Sequence, residues 1–180
     1  GRAAGMARKF IGPKIHDKLI ELGDDLEDVL NNLNASGTMS RLDELPPALV
    51  TVLKGIKETT KAGITALGPS SQDEIDEVAA KHRGRSAMKE VFDNASEILD
   101  TDEHSVTWLD LSRTATLHHA PLSVSAFLAE SLFGEQTVVM TSATLQVGGS
   151  MEPTAKDVGL TESNEWKALD VGSPFDYAKQ

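Results

Sequence analysis

The chain has 180 residues, 39% of them hydrophobic, which is enough to bury one core or a core with an appended helical subdomain. Aromatic residues make up 4%, so that core must rest on Leu, Val, Ile, Ala and Met. A formal charge of −11 makes the chain as a whole repel phosphate, and the lack of cysteine excludes disulfides, all-cysteine zinc sites and cysteine-ligated iron-sulfur clusters held by this segment.

No apolar run approaches the roughly 20 residues of a membrane-spanning helix, and no charged start followed by an apolar stretch marks a leader. The expectation is a soluble, cytoplasmic chain with no membrane partner.

In chain order, a helical stretch around Arg2 to Phe10 meets Gly12-Pro13, which should break it, since proline lacks a backbone donor and restricts the preceding residue. Ile15, Leu19, Leu22, Leu26, Val29 and Leu33 then recur at spacings of four and three, which predicts an amphipathic helix ending near Gly37. Asp24, Asp25, Glu27 and Asp28 fall between them and read as a solvated face, because a calcium loop would need a glycine and a non-helical backbone.

A second helix opens at Pro46-Pro47, buries Leu49, Val52, Leu53 and Ile56, weakens through Thr59, Thr60 and Gly63, and stops at Gly68-Pro69. A third starts from a capping box of Ser71 and Glu74 and runs from Ile75 to Leu99, with a bend expected at Gly84. Three apolar stripes joined by short polar connections predict an antiparallel bundle.

Beyond residue 101 the pattern changes. Ser105 to Leu111 and Thr114 to His119 favour extended structure around a Ser112-Arg113 turn, which predicts a β-hairpin. A short helix from Ser123 to Phe133, capped by Ser123, precedes Thr137-Val138-Val139-Met140, an apolar β-branched run read as a buried strand. The loop Gly148-Gly149-Ser150, a helix over 153–158 and a strand over 166–171 complete the chain. The predicted class is α+β: a helical bundle, then a small α/β part with a hairpin and a buried strand.

The carboxyl end of a buried strand is where α/β enzymes place functional groups, and here it delivers Thr141, Ser142, Ala143 and Thr144. Hydroxyls donate and accept, and small side chains permit close backbone approach, so such a row can relay a change between neighbouring surfaces. Taken alone, the same residues read more simply as a Ser/Thr turn that satisfies its own backbone.

The run from Thr137 to Leu145 resembles motif III of superfamily 2 helicases in the form used by the DinG and XPD branch. Two flanking elements narrow the resemblance to DinG-type proteins: Ala120-Pro121-Leu122-Ser123-Val124-Ser125 before it, and Ser173-Pro174-Phe175-Asp176-Tyr177 after it.

The resemblance implies a helical, arch-like insertion over 1–101, and over 102–180 the end of a RecA-like first motor domain with motif III and the junction to the second motor domain at Ser173, Pro174 and Phe175. It also implies that Thr141, Ser142, Ala143 and Thr144 couple nucleotide state to DNA grip, in a parent protein that hydrolyses ATP with Mg2+ and unwinds DNA on a single strand. This chain has neither a Gly-x-x-x-x-Gly-Lys-Ser/Thr phosphate loop nor an Asp-Glu-Ala-His box, so the resemblance assigns it no catalytic residue and no cofactor of its own. The parent's partners would be single-stranded DNA and the remaining motor segments.

Lys81, Arg85 and Lys89 form one basic stripe and Lys54, Lys57 and Lys61 another. Arg85 and Lys89 are candidate phosphate contacts, although a solvated face paired with nearby acids such as Glu77 is the simpler reading, since no aromatic residues interleave for base stacking. His118 and His119 point to opposite faces of a strand and cannot share a metal. Trp108 and Trp166 are expected to fill the core. The competing functions are a non-enzymatic helical interaction module, with an accidental Ser-Ala-Thr, and a DEAD-box-like RNA helicase fragment, a family that shares Ser-Ala-Thr but not the helical insertion.

Overall fold

Each apolar stripe of the first hundred residues closes into a helix in the computed structural model, which describes residues 2–34, 40–68, 75–110, 114–160 and 166–172. Helix α1 spans Arg2–Asn34 and is two rods joined at Gly12, whose φ of 74° and ψ of 159° lie where only glycine sits without strain. Pro13 follows, as the sequence predicts. Helix α2, Pro47–Ala66, opens with proline in its first turn and buries Leu49, Val52, Leu53 and Ile56. Its later half is not weak: Thr60 is fully buried and donates to the Ile56 carbonyl at 2.7 Å, so the hydroxyl is satisfied by its own helix. Helix α3 spans Ile75–Leu99.

The three helices pack against one another in all pairs. Gly63 of α2 lies beside Ile15 and Met88, while Lys57, earlier on α2, reaches Phe92, later on α3. Positions thus run in opposite directions along α2 and α3, as an antiparallel pair requires. Leu22, Leu30, Leu49, Val52, Leu53, Ile56 and Ala95 form one core cluster. Ala4, Ala7, Ile11, Leu19, Leu67 and Met88 form a second. Each buried leucine contributes roughly 2 kcal/mol through removal from water.

Gly84 does not bend α3. A Cβ there would come within 3.3 Å of Ala7 Cβ, so the glycine permits close approach of α1 rather than a kink.

The hairpin is present: β2 (Ser105–Asp110) and β3 (Thr116–Pro121) pair antiparallel, with Trp108 opposite His118. A two-residue strand β1, Ser40–Arg41, adds to the outer side of β2, giving the order β1-β2-β3. Leu109 is buried in the first helical cluster, with Leu117 and Ala115 against it. The chain therefore divides after Pro121, into compact units 1–121 and 122–180, because the hairpin completes the helical core.

The second unit holds α4 (Ser125–Leu128), a π-helical turn (Ala129–Phe133) and α5 (Glu152–Asp157), where short helices were expected. The cap expected from Ser123 is not made: Val124 is the N-cap and no side chain caps the helix, while Ser123 accepts from the Ser125 N–H at 3.3 Å in a local turn before it. The two strands expected here are absent among the described residues. Residues 137–140 form no ladder and are exposed, Val139 at 83%, and residues 166–172 likewise lack strand structure. A strand exists only through the neighbours that accept and donate along it, and neither segment finds one. The Ser71 and Glu74 capping box, the Ser112-Arg113 turn and the junction residues Ser173, Pro174 and Phe175 lie outside the described residues.

Candidate functional site

The hydroxyl row after Met140 is presented by the segment behind it. Leu145 accepts a hydrogen bond from Thr154 Oγ1 of α5 at 2.8 Å. Gln146 Nε2 donates to Asp170 at 3.0 Å, and Val147 and Ser150 exchange backbone hydrogen bonds of 2.9 and 3.2 Å across a glycine turn. Ser150 Oγ also accepts from the Glu152 N–H at the start of α5, at 3.1 Å. Three consecutive residues are thus anchored on one side of the row.

Thr141, Ser142, Ala143 and Thr144 are all exposed. Ser142 Oγ accepts from the Thr144 N–H at 3.1 Å and lies 2.9 Å from Thr144 Oγ1. This is the self-satisfied Ser/Thr turn, and it does not close a buried strand. The two hydroxyls share one hydrogen bond, so one of their protons stays available to an acceptor arriving from solvent.

Asp170 accepts from the Gly172 N–H at 2.8 Å and from Gln146, and these two hydrogen bonds hold its carboxyl below the usual carboxylate range. Sequence reasoning misses Gln146 and Asp170; separated by 24 positions, they carry no local signal of their pairing. Val138, Met140, Leu145, Met151, Ala155 and Trp166 line a concavity of about 700 Å³ in the same unit.

The other candidates sit in the first unit. Arg85 donates to the Gly68 carbonyl just beyond the end of α2, and Lys89 pairs with Asp93 one turn on. Both cations therefore have partners within the bundle. Asp24, Asp25, Glu27 and Asp28 are solvated. His118 stacks on Trp108 with ring centroids 4.9 Å apart, whereas His119 Nδ1 lies 2.9 Å from Thr107 Oγ1 on the opposite face of the sheet. Trp108 and Trp166 are half-buried, in a surface stack and a concavity wall rather than in the core. Among the described residues no group of three or more His, Asp and Glu side chains is placed to hold a metal, and no helix is long and apolar enough to cross a membrane.

Known proteins similar to this chain include the ATP-dependent helicase DinG of Mycobacterium tuberculosis (strain ATCC 25618 / H37Rv) and of Mycobacterium bovis (strain ATCC BAA-935 / AF2122/97). Each is 43% identical over 105 residues, a match covering 52% of this chain and 16% of the relative. The likeness to DinG-type helicases drawn from the motifs holds against these relatives. The chain spans a small part of their length. No protein-family profile and no solved structure matches it.

Proposed function

We propose that this chain is an internal segment of a DinG-type, ATP-dependent DNA helicase that translocates on single-stranded DNA. On this reading residues 1–101 are a helical arch-like insertion, and residues 102–180 are the end of the first motor domain with the junction to the second. The observation that carries the reading is the 43% identity to helicase DinG, joined to the order of Ala120-Pro121-Leu122, Thr141-Ser142-Ala143-Thr144 and Ser173-Pro174-Phe175. That relationship favours a DinG-type parent over a DEAD-box RNA helicase or a passive helical module.

The exposed apolar side chains of the second unit support it as well. Phe127, Val139, Leu169 and Val171 are 69%, 83%, 78% and 86% exposed, a surface that neighbouring strands and helices of a longer protein would cover. Residues 137–140 would gain their ladder from such neighbours.

ATP and Mg2+ do not fit the residues present here, which include no phosphate loop, no Asp-Glu-Ala-His box and, among the described residues, no ligand group for a metal. The parent would bind and hydrolyse ATP outside this chain, with Mg2+ neutralising phosphate charge. The part left to this segment is mechanical. The Ser142 and Thr144 hydroxyls, held from behind by Leu145 and Gln146, would offer their unused proton to a carboxylate of a docking neighbour, so that movement of that carboxylate displaces the row.

The test is Ser142→Ala with Thr144→Ala in the full-length parent. ATP turnover should stay within about twofold while unwinding falls roughly tenfold or more, a coupling loss of at least about 1.4 kcal/mol. Equal unwinding by variant and wild type would remove the coupling role.

A further inference from the structure

Helix α3 ends at Leu99, and the chain re-enters the fold as β2 at Ser105. The connection is a tight polar turn: the His104 N–H donates to Asp102 Oδ1 at 2.9 Å, and the Ser105 N–H donates to the Asp102 carbonyl at 3.3 Å. So short a turn holds Thr101, just past the helix, within reach of Thr107 on β2, and their hydroxyl oxygens lie 3.2 Å apart. Thr107 is 1% exposed and lies opposite His119 of β3, whose Nδ1 stands 2.9 Å from the Thr107 hydroxyl. At the other end, Thr101 Oγ1 lies 2.6 Å from the Ile98 carbonyl in the last turn of α3. These groups form one line, with a helix carbonyl at one end and an imidazole at the other.

The protons in that line are placed by elementary donor and acceptor chemistry. A carbonyl oxygen only accepts, so the Thr101 hydroxyl gives its single proton to the bond with Ile98. Thr101 Oγ1 must then accept from Thr107, and Thr107, its own proton committed, must accept from His119. His119 therefore carries a proton on Nδ1, and in the neutral ring Nε2 is left as a bare lone pair. The end of α3 thus sets the polarity of the whole line. If the last turn opens and releases the Thr101 proton, the line is free to reverse: Thr101 donates to Thr107 and Thr107 donates to Nδ1. The ring then loses its proton from Nδ1 and takes one up at Nε2 by exchange with water, with no change of charge. Every hydroxyl keeps a partner in both forms, which leaves the opening of the turn as the main cost.

We propose that the line from Thr101 through Thr107 to His119 is a conformational switch that reports the state of the last turn of α3 on the His119 ring. With the turn closed, Nε2 accepts; with it open, Nε2 donates. His119 is followed by Ala120 and Pro121, where the first unit ends, so the change is expressed on the strand by which the chain leaves the helical unit. The switch lies wholly within the first unit and stands whether or not the parent is a helicase.

The test is nitrogen-15 NMR of the imidazole rings in the 180-residue chain at about pH 8.5, where an ordinary imidazole is neutral. The His119 signals are identified by their absence from His119→Gln. In wild type the Nδ1–H form should outnumber the Nε2–H form by about tenfold, as one net hydrogen bond allows. Thr101→Val changes no atom in contact with the ring, yet it removes the acceptor of the Thr107 proton and should turn the ratio over in favour of Nε2–H. Thr101→Ser keeps the hydroxyl and should keep the wild-type ratio. Thr51→Val makes the same change on an exposed face of α2 and should also leave it unaltered. Glu97→Gly, at an exposed position in the last turn of α3, should speed amide exchange at Asp100 and Thr101 and raise the Nε2–H share about threefold or more. A wild-type ring protonated on Nε2, a ratio unmoved by Thr101→Val, or faster amide exchange in Glu97→Gly with no change at the ring would overturn the proposal.

Discussion

Gly159 carries one of the narrowest constraints in the second unit. Its φ of 87° already favours glycine, and a Cβ there would collide with the Ser125 carbonyl. Gly159→Ala should destabilise this unit by about 2–4 kcal/mol. Trp166 fluorescence during urea unfolding, read in a Trp108→Phe background, measures the change. Asp170 makes a prediction of opposite kind, because it is fully exposed and acts through ionisation. Hydrogen bonds from Gly172 and Gln146 favour the carboxylate, so its folded pKa lies below the unfolded value of about 3.9. The stabilisation it gives is present above that unfolded value and is lost as pH falls through the folded one. Carboxyl NMR should show Asp170 titrating below an ordinary aspartate, and Gln146→Ala should move it back upward. Neither residue announces itself in sequence: Gly159 looks like any loop glycine, and the Asp170 partner lies 24 positions away.

At the scale of elements, the buried set of α2 was legible because the spacing of Leu49, Val52, Leu53 and Ile56 is the helical period itself. Leu49→Ala, at a fully buried position, should cost about 2–5 kcal/mol and lower the thermal midpoint followed by helical circular dichroism. The hairpin was legible for a similar reason, with alternation that buries Thr107 and Leu109 and leaves Trp108 on the other face. Strand β1 was not, since two residues hold no period. The run over 137–140 shows the converse: β-branched composition gives a propensity for strand, but without a ladder partner that propensity has nothing to act on. The Ser142 and Thr144 turn was readable from its residue types alone, whereas its anchoring by α5 and by Asp170 was not.

On the scale of the molecule, the two units make the hairpin decisive. Its Leu109 and Leu117 pack on the helical core, so a polypeptide ending at Pro121 should melt cooperatively with native helicity. One ending at Thr101 should bind a hydrophobic dye and melt broadly, because the face those leucines cover would be open to water. The same pair of polypeptides separates packing from ancestry, since the proposed insertion ends near residue 101 while the compact unit runs on to Pro121.

By itself, the sequence determined the three helices, the break at Gly12-Pro13, the hairpin and the likeness to DinG-type helicases, all of which rest on local period or on contiguous motifs. Only the tertiary structure decided that the hairpin belongs to the helical core, that Arg85 and Lys89 are occupied within the bundle, and that the hydroxyl row stands exposed on a turn. Each of those depends on which distant side chains and backbone groups arrive as neighbours, and period carries no record of that.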